Sequence, residues 1–579
     1  MILRKKRLAI AVLLLASAQT LHTSPIMASA ANPQTSMDRD LLEVSIPQLE
    51  DFYRDHKYTV TQVVQWHLDR IRRYNGVYGA FEDVDEAGAL ATAAQEDADA
   101  RAGAASFQRG PMWGVPIVIK ENTSVRGLIT SDGWKGYVLP GHEFTAPRDA
   151  TIVAKLRATG AVILGKTNMP DFAASDTNRS TAYGRTGNAY DVRFSPGGSS
   201  GGTVTAVTAN LALLGNGTDT GNSIRMPAAT SAVVGVFPTR GLVSIAGIAP
   251  LDWLLDNTGP IARDVNDAAI ALTVMAGEDP ADVATIGSAQ KAQPGPYTKY
   301  LQRDSLRGKR FGVPAFILQG AGIPFQGSPS AETPAQAAAD RNASTQPLRP
   351  ETRAAFMHAI EALRAAGATV VFDDSILPES FAETVSRVGT SPYIREGTEK
   401  FLAAYGPAQY HSPEEYEKAI GSPLPATIIG GKPDPSDNRP PVDQARFEDN
   451  PQAVADVLEP RKRALKLYDE TLDRLRLDGY VYPAIQMPPP DETMPQDGVL
   501  STGPHSDTGW VNMIGVPAVV VPAGFYPNGL PFGLEISARR WHDGDLLGWA
   551  YAFEQTTHLR RPPVLVDKGL LSRGPHSIQ

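Results

Sequence analysis

The chain has 579 residues, 54 basic and 63 acidic side chains, a net charge of −9 and no cysteine. That balance disfavours a nucleic-acid surface, and the lack of thiols excludes disulfides, a cysteine nucleophile and thiolate metal sites together. A chain of this length can bury enough surface to be stable without such staples.

The N-terminus combines a basic segment, Arg4-Lys5-Lys6-Arg7, an apolar run from Leu8 to Ala16, and the small-residue site Ala28-Ser29-Ala30. This is the layout of a secretory signal peptide. It predicts a leader over residues 1–30 cleaved after Ala30, and a secreted or periplasmic mature protein over 31–579. The leader carries four basic and no acidic residues, so its loss takes the net charge to −13. The apolar run is too short to span a bilayer, and no later segment approaches the ~20 apolar residues that a membrane helix needs. No membrane attachment is therefore expected after cleavage.

Thr59-Val60-Thr61-Gln62 reads as a capping box, and Val60, Val64, Leu68 and Ile71 follow at near-helical spacing. Val115-Pro116-Ile117-Val118-Ile119 reads as a buried strand that ends at Lys120. Asp149 to Thr159 is predicted as an amphipathic helix stopped by Gly160, Ala161 to Leu164 as a buried strand, and Val204 to Ala209 as a helix. A further helix is expected over Glu351 to Ala366. Residues 315–350 and 405–457, rich in proline and small or polar residues, read as irregular insertions. The second is expected to form part of a substrate entrance. No internal repeat is evident, and the alternation of helix and strand gives an α/β class.

The stretches that carry chemistry are Pro196-Gly197-Gly198-Ser199-Ser200-Gly201-Gly202 and Thr218-Asp219-Thr220-Gly221-Asn222-Ser223-Ile224-Arg225-Met226-Pro227. A nucleophilic serine must lose its proton as it attacks, and a lysine can take that proton only if burial keeps the amine neutral. Lys120, at the carboxyl end of a core strand, is placed for that role, because open α/β sheets bind ligands at this edge. Glycines let backbone N–H groups converge on one point. If Ser223 is the nucleophile, the amides of Thr220, Gly221, Asn222 and Ser223 are the natural donors to an oxyanion.

These residues resemble the amidase signature family. Gly114-Val115-Pro116 through Lys120-Glu121-Asn122, Arg148-Asp149-Ala150-Thr151 and Gly165-Lys166-Thr167-Asn168-Met169-Pro170 resemble its earlier blocks. Gly259-Pro260-Ile261-Ala262-Arg263, Asn512-Met513-Ile514-Gly515-Val516-Pro517-Ala518 and Gly529-Leu530-Pro531-Phe532-Gly533-Leu534 resemble its later ones. Within the family, Ala550-Tyr551-Ala552-Phe553-Glu554-Gln555 and Arg560-Arg561-Pro562-Pro563 look most like peptide amidases. The resemblance implies one large α/β domain with a mixed central sheet between helical layers.

By position, the resemblance implies Ser223 as nucleophile, Ser199 as the bridging serine after a cis peptide bond, and Lys120 as base. It implies supporting roles for Ser200, Asp219 and Arg225. The family usually has glycine where this chain has Asn222, which points to a strained or left-handed backbone at that position. The implied activity is hydrolysis of a linear amide of a small molecule through an acyl-enzyme, with no cofactor and no metal.

Other readings remain open on the residues alone. A Gly/Ser run is commonly a flexible loop, but the phosphate-loop spacing is missing. Gly198-Ser199-Ser200-Gly201-Gly202 also fits the nucleophile elbow of α/β-hydrolases, which would make Ser200 the nucleophile of an esterase with His505, His542 or His558 downstream. An exported binding protein of the same fold is a third reading. The family's tRNA-dependent amidotransferase component is disfavoured by the acidic charge and the leader. The sequence carries no signal for oligomeric state.

Overall fold

Thr59 begins the architecture as the sequence predicts. Its hydroxyl accepts from the Gln62 N–H at 3.1 Å while Gln62 Oε1 accepts from the Thr59 N–H at 2.9 Å, and the helix Val60–Tyr78 follows. Val60, Val64, Leu68 and Ile71 are buried along one stripe of it. The structure is a computed structural model that describes residues 36–102, 109–319, 348–431, 442–448, 450–493, 504 and 506–563. The predicted leader, residues 320–347 of the first expected insertion, and His505 lie outside the described residues.

Thirteen strands are described. The first seven are β1 (Phe81–Val84), β2 (Val115–Lys120), β3 (Ala161–Thr167), β4 (Arg179–Ser180), β5 (Gly184–Arg185), β6 (Leu214–Asp219) and β7 (Val234–Phe237). They are followed by β8 (Asn257–Ala262), β9 (Arg310–Val313), β10 (Thr369–Phe372), β11 (Gly479–Pro483), β12 (Ala518–Phe525) and β13 (Pro531–Ala538). Strands β4 and β5 form a small hairpin, and the other eleven form one mixed sheet in the order β1-β3-β2-β6-β8-β7-β12-β13-β11-β9-β10. β2 runs parallel to both β3 and β6, whereas β6, β8, β7, β12 and β13 pair antiparallel in turn. The whole of β2, β3 and β6 is buried. Strands covered on both faces read as continuous apolar runs rather than alternating ones, which is the pattern of Val115 to Ile119.

Helices flank this sheet in a single large α/β domain. Gly201–Thr208 packs on β2 and β6, Arg225–Ser231 on β7, β12 and β13, and Asp543–Thr557 on β12 and β13. The predicted helix near 351–366 spans Pro350–Ala365, and the amphipathic segment after Asp149 is helical over Thr151–Ala158. The second expected insertion contains the helices Pro413–Ile420 and Ala426–Ile429, so its described part is more regular than its composition implies. These helices, with Ile394–Tyr405, bring Phe401, Leu402, Tyr405 and Tyr416 against Tyr137, Phe144 and Phe172 in a satellite apolar cluster. No described helix is long and apolar enough to cross a membrane.

Candidate active site

Lys120 is the last residue of β2, and the β2/β6 ladder stops two residues before it, at Val118 opposite Gly215. The side chain of Asn216 on β6 replaces the missing partner, its Oδ1 accepting from the Lys120 N–H at 2.9 Å. The lysine stem therefore leaves the core at the mouth of three buried strands. Its amine is fully buried and lies 2.7 Å from Ser199 Oγ, 3.0 Å from Ser200 Oγ and 2.8 Å from Thr218 Oγ1.

Burial pushes the Lys120 amine down to about 7, against the opposing charges of Asp219, Asp132 and Asp256. A neutral amine has two N–H donors and one lone pair. Ser200 Oγ donates to the Thr218 carbonyl at 3.2 Å and so accepts from Lys120, and Thr218 Oγ1 also accepts from Asn122 Nδ2 at 3.1 Å. With both N–H groups directed to Ser200 and Thr218, the lone pair is left for Ser199, the shortest of the contacts.

Ser199 follows a cis Gly198–Ser199 peptide bond, and Ser200 caps the helix Gly201–Thr208. Room for the Ser200 hydroxyl depends on Gly217, where a Cβ would stand 3.0 Å from Ser200 Oγ and 2.7 Å from Ile224. Ser223 lies on the turn between β6 and the helix Arg225–Ser231, and its carbonyl accepts from the Ser200 N–H at 3.2 Å. Ser199 and Lys120 are fully buried while Ser223 is 7 % exposed, so of the three only Ser223 is open to an incoming molecule. Among the described residues no hydrogen bond joins Ser223 Oγ to Ser199 Oγ.

The turn leaves its own amides free. The N–H groups of Gly221, Asn222 and Ser223 have no acceptor among the described residues. Asp219, Arg225, Asn512 and Glu535 hold the turn from below. Arg225 Nε donates to Asp219 Oδ2 at 3.1 Å, Nη1 to Glu535 Oε1 at 2.8 Å, and Nη2 to the Gly221 carbonyl at 2.8 Å and Asn512 Oδ1 at 2.5 Å. Asn512 Nδ2 returns a bond to Asp219 Oδ1 at 2.9 Å. Burial raises the Asp219 carboxyl, but the charge and hydrogen bonds of Arg225 outweigh it and hold the group below the usual range. Burial pushes Glu535 up to about 7 against the pull of the same arginine. On the other flank, Thr220 Oγ1 donates to Asp256 Oδ1 at 2.6 Å.

The structure departs from two expectations. Asn222 is not in the left-handed region. Its carbonyl accepts from the Met226 N–H at 2.8 Å, so the residue already lies on the entry to a helix rather than in a strained turn. Its amide also does not point idly at the nucleophile, because Nδ2 donates to Asp176 Oδ1 at 3.2 Å. As for the elbow reading, Ser200 Oγ is engaged by Lys120 and the Thr218 carbonyl, while His542 pairs with Asp545 at 3.0 Å and His558 closes the C-terminus of the last helix.

Thr218, Asn216, Asn122, Asp256, Asp176, Glu535 and Asn512 have no role in the sequence reading. Only Asn512 carries a signal there, as the first residue of a family block.

The family model described as Amidase matches residues 62–328 and 324–547. The chain belongs to the amidase signature family. It is an amidase signature enzyme that acts on C–N bonds. The A-type component of the glutamyl-tRNA(Gln) amidotransferase of Alkaliphilus metalliredigens is 31 % identical over 536 residues, covering 89 % of this amidase and 96 % of that protein. The native peptide amidase of Stenotrophomonas maltophilia is 29 % identical with a TM-score of 0.68, covering 90 % of this chain and 98 % of that one. The peptide amidase PAM bound to the competitive inhibitor chymostatin is 30 % identical with a TM-score of 0.69, covering 90 % and 99 %.

Proposed function

We propose that this amidase is a self-sufficient serine amidohydrolase that cleaves a linear amide of a small molecule, such as a peptide amide or aryl acylamide, through an acyl-enzyme at Ser223. The observation that carries the reading is the 2.7 Å contact between Lys120 Nζ and Ser199 Oγ in a site closed to solvent. Ser223 Oγ attacks the carbonyl carbon and passes its proton to Ser199, which passes its own to the neutral Lys120 amine. The oxyanion is met by the free N–H groups of the 221–223 turn. The proton then returns through Ser199 to the leaving nitrogen, the amine departs, and water repeats the sequence on the ester.

A fluorophosphonate probe followed by peptide mass spectrometry tests this assignment. Labelling at Ser223 that disappears in Lys120→Ala supports it. Labelling at Ser200 would favour the esterase reading, and a folded protein that takes no label would favour a binding protein.

A second reading, one component of an amidotransferase, is favoured by the 31 % identity to the glutamyl-tRNA(Gln) amidotransferase relative. The two separate on whether the purified chain releases ammonia or amine from an amide by itself. We also propose export, on the charge and apolar pattern of residues 1–30. Recovery of a chain that begins at Ala31 from the medium or periplasmic fraction is its test.

A further inference from the structure

Asp176 is a carboxylate placed against both halves of the candidate site. Its segment touches the bridging serine's neighbour so closely that a Cβ on Gly198 would stand 2.5 Å from the Ser175 carbonyl oxygen and 2.7 Å from that of Thr177. A local turn fixes the segment, with Ser175 Oγ 3.0 Å from Thr177 Oγ1 and accepting from the Thr177 N–H at 3.1 Å. On its other side, Asp176 Oδ1 takes the amide of Asn222, the residue before the nucleophile.

What the carboxylate lacks is a cation. Its partner among the described residues is the neutral Asn222, and the one charged group that acts on it is Asp219, a second carboxylate already occupied by Arg225. Asp176 Oδ2 has no hydrogen-bond partner among the described residues, and the residue is half-buried rather than sealed, so that oxygen is open to a ligand. A carboxyl group that is only structural is normally neutralised by a charge or by several donors.

We propose that Asp176 is a specificity-determining residue that receives a protonated amine carried on the acyl part of the amide, close to the scissile carbonyl. The substrates it selects are amides of amino acids with a free ammonium group. The inference rests on the assignment of Ser223 as nucleophile. Burial pushes the Asp176 carboxyl up to about 7, opposed by the Asn222 amide, so the free site carries a partial charge near neutrality that an arriving ammonium completes. Asn222, which stands where the family usually has glycine, orients the carboxylate through its amide.

The test uses matched anilides of equal heavy-atom count: glycine anilide with propionanilide, β-alanine anilide with butyranilide, and 4-aminobutyranilide with valeranilide. Affinities are measured by calorimetry on Ser223→Ala protein, which removes turnover. The ammonium member of at least one pair is expected to bind about tenfold more tightly, the size of one charge-assisted hydrogen bond. The gap should close to under about twofold in Asp176→Asn, which keeps the Oδ1 acceptor for Asn222 and is close in size, and reopen in part in Asp176→Glu. Equal affinities within every pair, or a gap that persists in Asp176→Asn, overturn the proposal. Aniline release by the wild-type enzyme separates the two readings: Ser223-dependent release without any gap overturns the Asp176 assignment alone, and a gap without such release overturns the Ser223 assignment alone.

Discussion

Lys120 Nζ lies 2.7 Å from Ser199 Oγ with both groups fully shielded from water. That shielding sets the chemistry, because an ammonium in this place would lose its hydration with no carboxylate among the described residues in hydrogen-bond contact to replace it. The amine is therefore pushed down to about 7. The base is active when deprotonated, so activity should rise with pH through about 7 and level off in the alkaline range. A kcat/KM profile on a substrate that does not titrate between pH 5 and 10 checks the sign. A rate that falls across that range would remove Lys120 from the role of base.

The three serines should separate in size of effect. Ser223→Ala removes the attacking atom and is expected to cost roughly four orders of magnitude in kcat, as loss of a serine nucleophile does elsewhere. Ser199→Ala should be comparably severe, since Ser199 is the nearest contact of the lysine amine. Ser200→Ala breaks one hydrogen bond to Lys120 and one to the Thr218 carbonyl, so a loss of about ten- to a hundredfold is expected. Single-turnover acylation rates for the three variants order them directly.

The brace beneath the turn can be tested through stability. Arg225 is fully buried between Asp219 and Glu535, and Arg225→Met leaves two buried carboxylates without their counter-charge. Breaking a buried ion pair from one side costs about 3–5 kcal/mol. Urea unfolding of Arg225→Met should show a loss of that order. Glu535→Gln should be milder, because the amide can still accept from Arg225 and from Tyr482 OH, which lies 3.0 Å from Glu535 Oε1.

These partners explain which parts of the site are legible from residue order. Lys120, Ser199, Ser200, Asp219, Ser223 and Arg225 lie in three short stretches whose glycines and serines mark them. Glu535 and Asn512 reach Arg225 from about 300 positions away. They do so because β13 and the helix Trp510–Ile514 come from the far half of the chain, and strand order of this kind is a tertiary fact that no local spacing encodes. The strand that ends at Lys120 is legible because its apolar run is continuous. The helices in 405–457 are not, because proline and glycine dominate the composition there while Tyr416 and Ile428 supply the burial.

Asn222 offers a fourth test. Its backbone is not left-handed, so Asn222→Gly relieves no strain, removes the bond to Asp176 and adds chain freedom. A loss of about 0.5–1 kcal/mol in unfolding free energy is expected, together with a slower acylation step. If Asn222→Gly were instead more stable and faster, the residue would be strained in solution.

Thr220 and Asp256 define the last prediction. The Thr220 hydroxyl donates to Asp256 Oδ1 at 2.6 Å, and the same carboxylate accepts from the N–H groups of Leu251 and Asp252 at 3.1 and 3.2 Å. Asp256 therefore ties the anion-binding turn to the 251–256 loop, from which Asp252 reaches Thr390. Asp256→Ala should loosen Thr220 and the amides that follow it while leaving Ser223, Ser199 and Lys120 chemically intact. Because the turn acts on the oxyanion rather than on the bound amide, the loss should fall on kcat, by about tenfold, with KM changed less than about twofold. Thr220→Val should reproduce most of it by removing the other partner of the same bond. A variant in which KM rises and kcat holds would place Asp256 in substrate binding instead of in support of the turn.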